Sequence, residues 1–189
     1  MQTNDILNHV RKYADEAHGE QTRKYTKERY IVHPERVMKI SQEYSDKLPI
    51  AAAALLHDVL EDTEVSSKEM KDFLNTFMES EEASYTVKLV VELTDVYTKA
   101  AYPAWNRDTR KQKELERIIK TSPNAQTIKY ADILDNCREI VKYDPAFAPQ
   151  YIKECRSILK SALKGNKELR KLAMETLQRE WASLNQKTK

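Results

Sequence analysis

Apolar residues recur three and four positions apart along most of the chain, and strand-like alternation is almost absent. That spacing lines one face of an α-helix. The first stripe is Ile6, Leu7, Val10, Tyr13, Ala14 and Ala17, with Thr3 or Asn4 placed to cap it and Gly19 to end it. A polar loop, EQTRKYTKERY, follows. Pro34 suits the first position of a second helix carrying Val37, Met38, Ile40 and Tyr44, which puts His33 at its N-cap or just before it. Pro49 opens a third helix, running through residues 51–63. Ser66 and Glu69 make a capping box ahead of Met70, Phe73, Leu74 and Phe77. A fifth helix is expected over about 81–96.

The next ten residues, YTKAAYPAWN, read as a loop, half greasy and half polar. A basic helix over about 107–120 carries Arg107, Arg110, Lys111 and Lys113 in its first two turns. Cations there oppose the helix dipole, so an anionic neighbour is expected. Pro123 opens a helix to about residue 143, and Pro149 opens another that Gly165 stops. The last, from about Lys167, carries Leu169, Leu172, Met174, Leu177 and Trp181. The pattern predicts an all-α bundle of about eight to ten helices. No linker divides it, so 1–189 reads as one domain with a frayed tail at 185–189.

Composition narrows the function. With 189 residues, 33% charged and 40% apolar, the chain can bury a sizeable core. Net charge is +2, from 32 basic and 30 acidic residues, so no field points to nucleic acid as partner. The start is polar, and no run approaches the roughly 20 apolar residues of a membrane span. The expectation is a cytoplasmic protein without membrane contact, its oligomeric state open. Cys137 and Cys155 sit inside helical patterns and read as reduced core thiols.

Residues 51–63, AAAALLHDVLEDT, change the picture most. A helix that apolar must be buried. Burying two adjacent pairs of ionisable groups at its end is costly unless something compensates them. A divalent cation would do so. His33, His57, Asp58 and Asp132 offer imidazole nitrogen and carboxylate oxygen, a donor set for Mn²⁺, Fe²⁺ or Zn²⁺ rather than Ca²⁺. Such an ion makes the water it holds a better nucleophile near neutral pH. Glu61 and Asp62 follow the His57-Asp58 pair by one helical turn. Carboxylates so placed suit general acid–base work, though spacing does not assign which is acid and which is base.

At these residues the chain resembles the HD superfamily of metal-dependent phosphohydrolases, whose H…HD…D pattern is met by His33, His57-Asp58 and Asp132. It is more closely similar to the hydrolase domain of RelA/SpoT-type alarmone enzymes, in their small stand-alone branch. QTRK followed by YIVHP resembles the family's RK…YxxHP, LLHDVLEDT its LLHDxxEDT, and TIKYADILDN its KLADxxxN. The resemblance covers about 17–151 and implies an HD-domain helical bundle. It implies removal of the 3′-pyrophosphate of (p)ppGpp, giving GDP or GTP, with Mn²⁺. His33, His57, Asp58 and Asp132 would hold the ion, and Glu61 and Asp62 would manage the attacking water. Arg23 and Lys24 would contact the nucleotide, the guanidinium stacking on the base. Asn136 would contact ribose or base, and Tyr151 falls near a substrate-contacting tyrosine. Arg107, Arg110 and Lys111 are candidates for the phosphates. The alternatives are the same site acting on (p)ppApp or NADPH, or a nucleotide-binding sensor without turnover. No synthetase domain fits in this length, so hydrolysis alone is expected.

Overall fold

The computed structural model describes residues 2–187, with side chains described as far as residue 184. Ten helices account for its regular structure, and no strand occurs among the described residues. The chain forms two compact units, one ending at Thr94 and the other beginning at Asp95. The expected frayed tail at 185–189 lies partly outside the described residues. Among those described, no helix is long and apolar enough to cross a membrane.

The first unit contains α1 (Thr3–His18), α2 (Val32–Gln42), α3 (Leu48–Leu56), α4 (Val59–Asp62), α5 (Ser67–Leu74) and α6 (Ser80–Leu93). Helix α3 is its centre. Every residue from Pro49 to Leu56 is buried, as an all-round apolar helix requires, with α1, α2 and α6 packed on it. The predicted capping box forms, with the Ser66 side chain accepting from Glu69 N and the Glu69 carboxylate accepting from Ser66 N.

Three expectations need correction here. The N-cap of α1 is Gln2, whose side chain makes no capping bond, rather than Thr3 or Asn4. Helix α2 starts at Val32, because a tight turn (Val32 N to Arg29 O, His33 N to Tyr30 O) feeds straight into it. His33 therefore sits in the first helical turn rather than at a cap. The central helix does not run unbroken through 51–63. It stops at Leu56, and a new turn begins after Asp58, whose backbone has relaxed to φ −97°, ψ −9°. The physical reason lies in the His57 ring, whose Nδ1 donates back to the Ala54 carbonyl at 2.8 Å. That carbonyl is the one an unbroken helix would offer to the Asp58 N–H.

The loop between α1 and α2 is pinned as a hairpin. Gly19 takes φ 55°, a left-handed conformation that suits glycine. An isolated bridge pairs Thr22 with Arg29, and Arg23 N donates to Glu28 O.

The second unit contains α7 (Arg107–Ile118), α8 (Pro123–Tyr143), α9 (Ala148–Ser161) and α10 (Lys167–Lys187). Helix α8 packs against α9 and α10. The buried Gln126 amide ties the turns together. Its nitrogen donates to the Ile118 and Ile119 carbonyls, and its oxygen accepts from Lys164 N. Tyr102 stacks on Trp105 within the loop before α7, and the Asn106 side chain caps that helix by accepting from Thr109 N. Both cysteines are free and buried.

Candidate active site

The break after α3 sets the geometry of the first unit's site. Because the Ala54 carbonyl only accepts, His57 carries a proton on Nδ1, and the neutral ring then has its lone pair on Nε2. That Nε2 lies 3.1 Å from Asp58 Oδ2, and His33 Nε2 lies 3.7 Å from the same oxygen. Both histidines are almost fully buried, with ring centroids 5.2 Å apart. One donor atom from each of His33, His57 and Asp58 lies within 4.8 Å of the other two. A nitrogen lone pair and a carboxylate oxygen at 3.1 Å repel unless a cation lies between them. The residues therefore fit a divalent ion, bound through two imidazole nitrogens and one oxygen.

Glu61 and Asp62 project from α4, one turn beyond the pair, and both keep much of their surface exposed, with the Asp62 carboxyl partly desolvated. Desolvation of the carboxyl, and then the Asp58 carboxylate, raise the Asp62 pKa. Arg23 is buried and holds its guanidinium over the Tyr30 ring, 5.6 Å from the centroid. Lys24 is exposed and donates to the Tyr25 hydroxyl at 2.8 Å.

Tyr30 is the residue that sequence reasoning passed over. Its hydroxyl donates to Asp58 Oδ2 at 2.7 Å. Burial, then the neighbouring carboxylates of Asp58 and Asp62, push its pKa far above the usual phenol range, so it remains a donor. Its only mark in the sequence is its place in YIVHP.

In the second unit, a cavity of about 1280 Å³ is lined by Arg107, Lys111, Lys129, Asp132, Asn136 and Tyr151, among others. Five of these were singled out from the sequence, and one cavity gathers them. Asp132 is buried, accepting from Lys129 at 2.8 Å and from the Asn136 amide at 2.6 Å. Burial drives the Tyr151 hydroxyl's pKa well above its ordinary value. The anionic neighbours expected for the basic helix are the protein's own carboxylates. Arg107 makes two bonds to Glu154, at 2.8 and 2.9 Å, and Lys111 donates to Asp95 at 2.9 Å. Against the upward push of burial, Lys129 and Lys111 hold the Asp95 carboxyl below its usual range. The Arg110 guanidinium donates to the Trp105 carbonyl. Lys129, Asp95 and Glu154 gave no sequence signal of their own.

Comparison with known proteins sets these sites in context. A family model described as the HD domain matches residues 30–137. The chain is 33% identical over 129 residues to a guanosine-3′,5′-bis(diphosphate) 3′-pyrophosphohydrolase of Aquifex aeolicus (strain VF5), covering 68% of this chain and 17% of that one. It is 29% identical over 132 residues to the guanosine-3′,5′-bis(diphosphate) 3′-pyrophosphohydrolase MESH1 of Drosophila melanogaster, covering 68% and 65%. The chain thus spans less than two thirds of the length of either relative. A solved structure described as a metazoan ortholog of SpoT that hydrolyzes ppGpp superposes with a TM-score of 0.76 at 26% identity, over 93% of this chain and 94% of that one.

Proposed function

The chain belongs to the HD-domain family, and from that premise we propose that it hydrolyses (p)ppGpp, removing the 3′-pyrophosphate to leave GDP or GTP. One observation carries the reading: His33, His57 and Asp58 converge within 4.8 Å, one turn from the Glu61-Asp62 pair. The similarity to proteins that act on ppGpp supplies the substrate.

In this reading His33, His57 and Asp58 hold a divalent ion, and the family resemblance adds Asp132 as a further ligand. Mn²⁺ is favoured, because it accepts imidazole nitrogen and also suits hard phosphate oxygen. When bound, the ion supplies Lewis-acid activation of water and of the phosphoryl oxygens. The protein's own residues do the rest. His57 is held in one tautomer by Ala54 O, which aims Nε2 at the cation. Glu61 and Asp62 move the protons of the attacking water and the leaving oxygen. Arg23 and Lys24 take the nucleoside, and Asn136 and Tyr151 contact ribose or base. Arg107, Arg110 and Lys111 meet phosphate. For Arg107 and Lys111 that contact replaces one anion, Glu154 or Asp95, by another. Unchanged KM on charge reversal of Arg110 removes that residue from the set.

The deciding experiment is product analysis with ppGpp and Mn²⁺. Pyrophosphate should appear, and EDTA or Asp58→Ala should abolish it. Run on a panel that includes ppApp and NADPH, the same assay fixes the base. Orthophosphate as the only product would overturn the pyrophosphohydrolase reading. Tight ppGpp binding without turnover would replace the enzyme by a sensor.

A further inference from the structure

We propose that Arg29 is a positioning residue for Arg23: its guanidinium latches the hairpin between α1 and α2 onto the end of α1. The inference rests on the hydrolase reading above, in which Arg23 takes the nucleoside. Thr22 and Arg29 face each other across the isolated bridge. One backbone bond flanks the pair on each side, Tyr30 N to Gln21 O and Arg23 N to Glu28 O, both at 3.0 Å. So short a two-stranded ribbon is marginal by itself in water. Its turn adds little direction, because residues 24–27, KYTK, contain none of the glycine, proline, asparagine or aspartate that favour tight turns.

The two stems of this hairpin are unequally held. The Arg29 stem runs straight into α2, with Val32 N donating to Arg29 O and His33 N to Tyr30 O. The other stem leaves α1 through Gly19, at φ 55°. Glycine frees the backbone at the point where the direction of residues 20–23 is set. The Arg29 side chain removes that freedom. Its Nη2 donates to Gly19 O at 3.3 Å, and its Nε and Nη2 each lie 3.0 Å from Asp15 Oδ1. The fork thus spans the carbonyl just past α1 and a carboxylate in the last turn of α1. Both are negative groups at a helix C-terminus, where a cation is favoured and a planar guanidinium meets two acceptors at once.

Arg23 is the residue this arrangement serves. It follows Thr22 on the tethered stem, is only 8% exposed, and holds its guanidinium 5.6 Å from the centroid of the Tyr30 ring. That alignment requires the stem to leave Gly19 in one direction. Tyr30 is anchored separately, by its backbone at the entry to α2 and by its hydroxyl bond to Asp58. Loss of the latch therefore bears on nucleotide binding and leaves the metal ligands in place.

The test uses the full-length, Mn²⁺-loaded protein. Arg29→Met keeps the length of the side chain and removes the fork. The Arg29 side chain is 54% exposed, so the loss is that of a surface ion pair. KM for ppGpp should rise about three- to fivefold while kcat, and the Mn²⁺ affinity measured by calorimetry without substrate, stay within about twofold. Hydrogen exchange at the Arg23 amide should quicken by a similar factor. Asp15→Ala removes the carboxylate from the α1 side and should show the same pattern, and it decides the question if Arg29→Met fails to fold. Arg29→Lys, a point charge that cannot span both acceptors, should recover only part of the loss. In an Arg23→Ala background, Arg29→Met should leave KM unchanged, because the residue it positions is gone. Wild-type KM in both Arg29→Met and Asp15→Ala, a loss carried by kcat instead, or a full additional loss in the Arg23→Ala background would each overturn the proposal. A wild type that releases no pyrophosphate strikes the hydrolase reading instead. The Arg23 amide then judges the latch by itself, and wild-type exchange there in Arg29→Met overturns it.

Discussion

The Tyr30 hydroxyl donates at 2.7 Å to Asp58 Oδ2, the same oxygen that faces both His33 and His57, although the two residues stand 28 positions apart in the chain. An oxygen with two lone pairs can accept one hydrogen bond and still ligate an ion. Tyr30 therefore orients the Asp58 carboxylate without displacing its charge. Tyr30→Phe keeps the ring against His18 and deletes only that bond. Mn²⁺ affinity should fall about tenfold, in the range seen for residues that orient metal ligands. Calorimetry on the metal-stripped protein measures it, and unchanged affinity would remove Tyr30 from the site.

Ligand and proton carrier should separate cleanly. Asp58→Ala deletes the shared oxygen and should lose bound metal and turnover together. Glu61→Gln keeps shape and removes the ionisable group one turn away. It should lose turnover by about 10²-fold or more while metal content by elemental analysis stays at the wild-type level. Equal loss of metal in Glu61→Gln would make Glu61 a ligand rather than a proton carrier.

Much of this was legible in the sequence, for identifiable reasons. The buried α3 follows from an alanine-leucine run that has no polar face, and the capping box from two residues three apart. His33, His57 and Asp58 were legible because a buried charge demands a partner. The break at His57-Asp58 was not, because apolar residues continue at Val59 and Leu60 and the cause is a side chain bonding to its own backbone. The need for an anion beside the basic helix was readable, but its identity was not: Glu154 lies 47 residues beyond Arg107, and only the fold brings them together. Tyr30 carries its role through a contact equally remote in the chain. No change of composition marks the division after Thr94.

The raised Asp62 pKa has a sign that can be checked. Partial burial and the Asp58 carboxylate make the folded chain hold this proton more tightly than the unfolded chain does. The associated stability is fully present below the ordinary carboxylate pKa and is lost as pH rises through the raised one. Asp62→Asn should therefore raise the Tm of the metal-free protein near neutral pH, and the gain should vanish below about pH 4. Thermal melts across that range measure it. A gain independent of pH would trace to something other than ionisation.

Burial pushes the thiols of Cys137 and Cys155 up to about 12. A thiol is nucleophilic only as thiolate, and almost none forms at such values near pH 8. Ellman's reagent should find both cysteines silent in the native protein and both reactive once guanidinium unfolds it. Fast reaction of either in the native state would mean that the core around α8 and α9 opens readily.

Gly165 separates α9 from α10 where the chain passes over Tyr130. A Cβ built there would lie 2.5 Å from Tyr130 Cε2 and 2.9 Å from the Thr127 backbone nitrogen. Neither neighbour can give way easily. The Tyr130 ring is fully buried, its hydroxyl donating to Ala162 O at 2.6 Å, and the Thr127 nitrogen is helical backbone. Moving the loop outward instead would stretch the bonds from Lys164 N to Gln126 Oε1 and from Asn166 N to Thr127 Oγ1. Gly165→Ala should cost about 1–3 kcal/mol by overpacking. Urea denaturation should show a lower midpoint with an unchanged slope, as expected when stability falls without a change in the surface exposed on unfolding. A variant as stable as the wild type would mean that the turn moves aside at no cost, and that Gly165 is not what fixes the approach of α10 to α8.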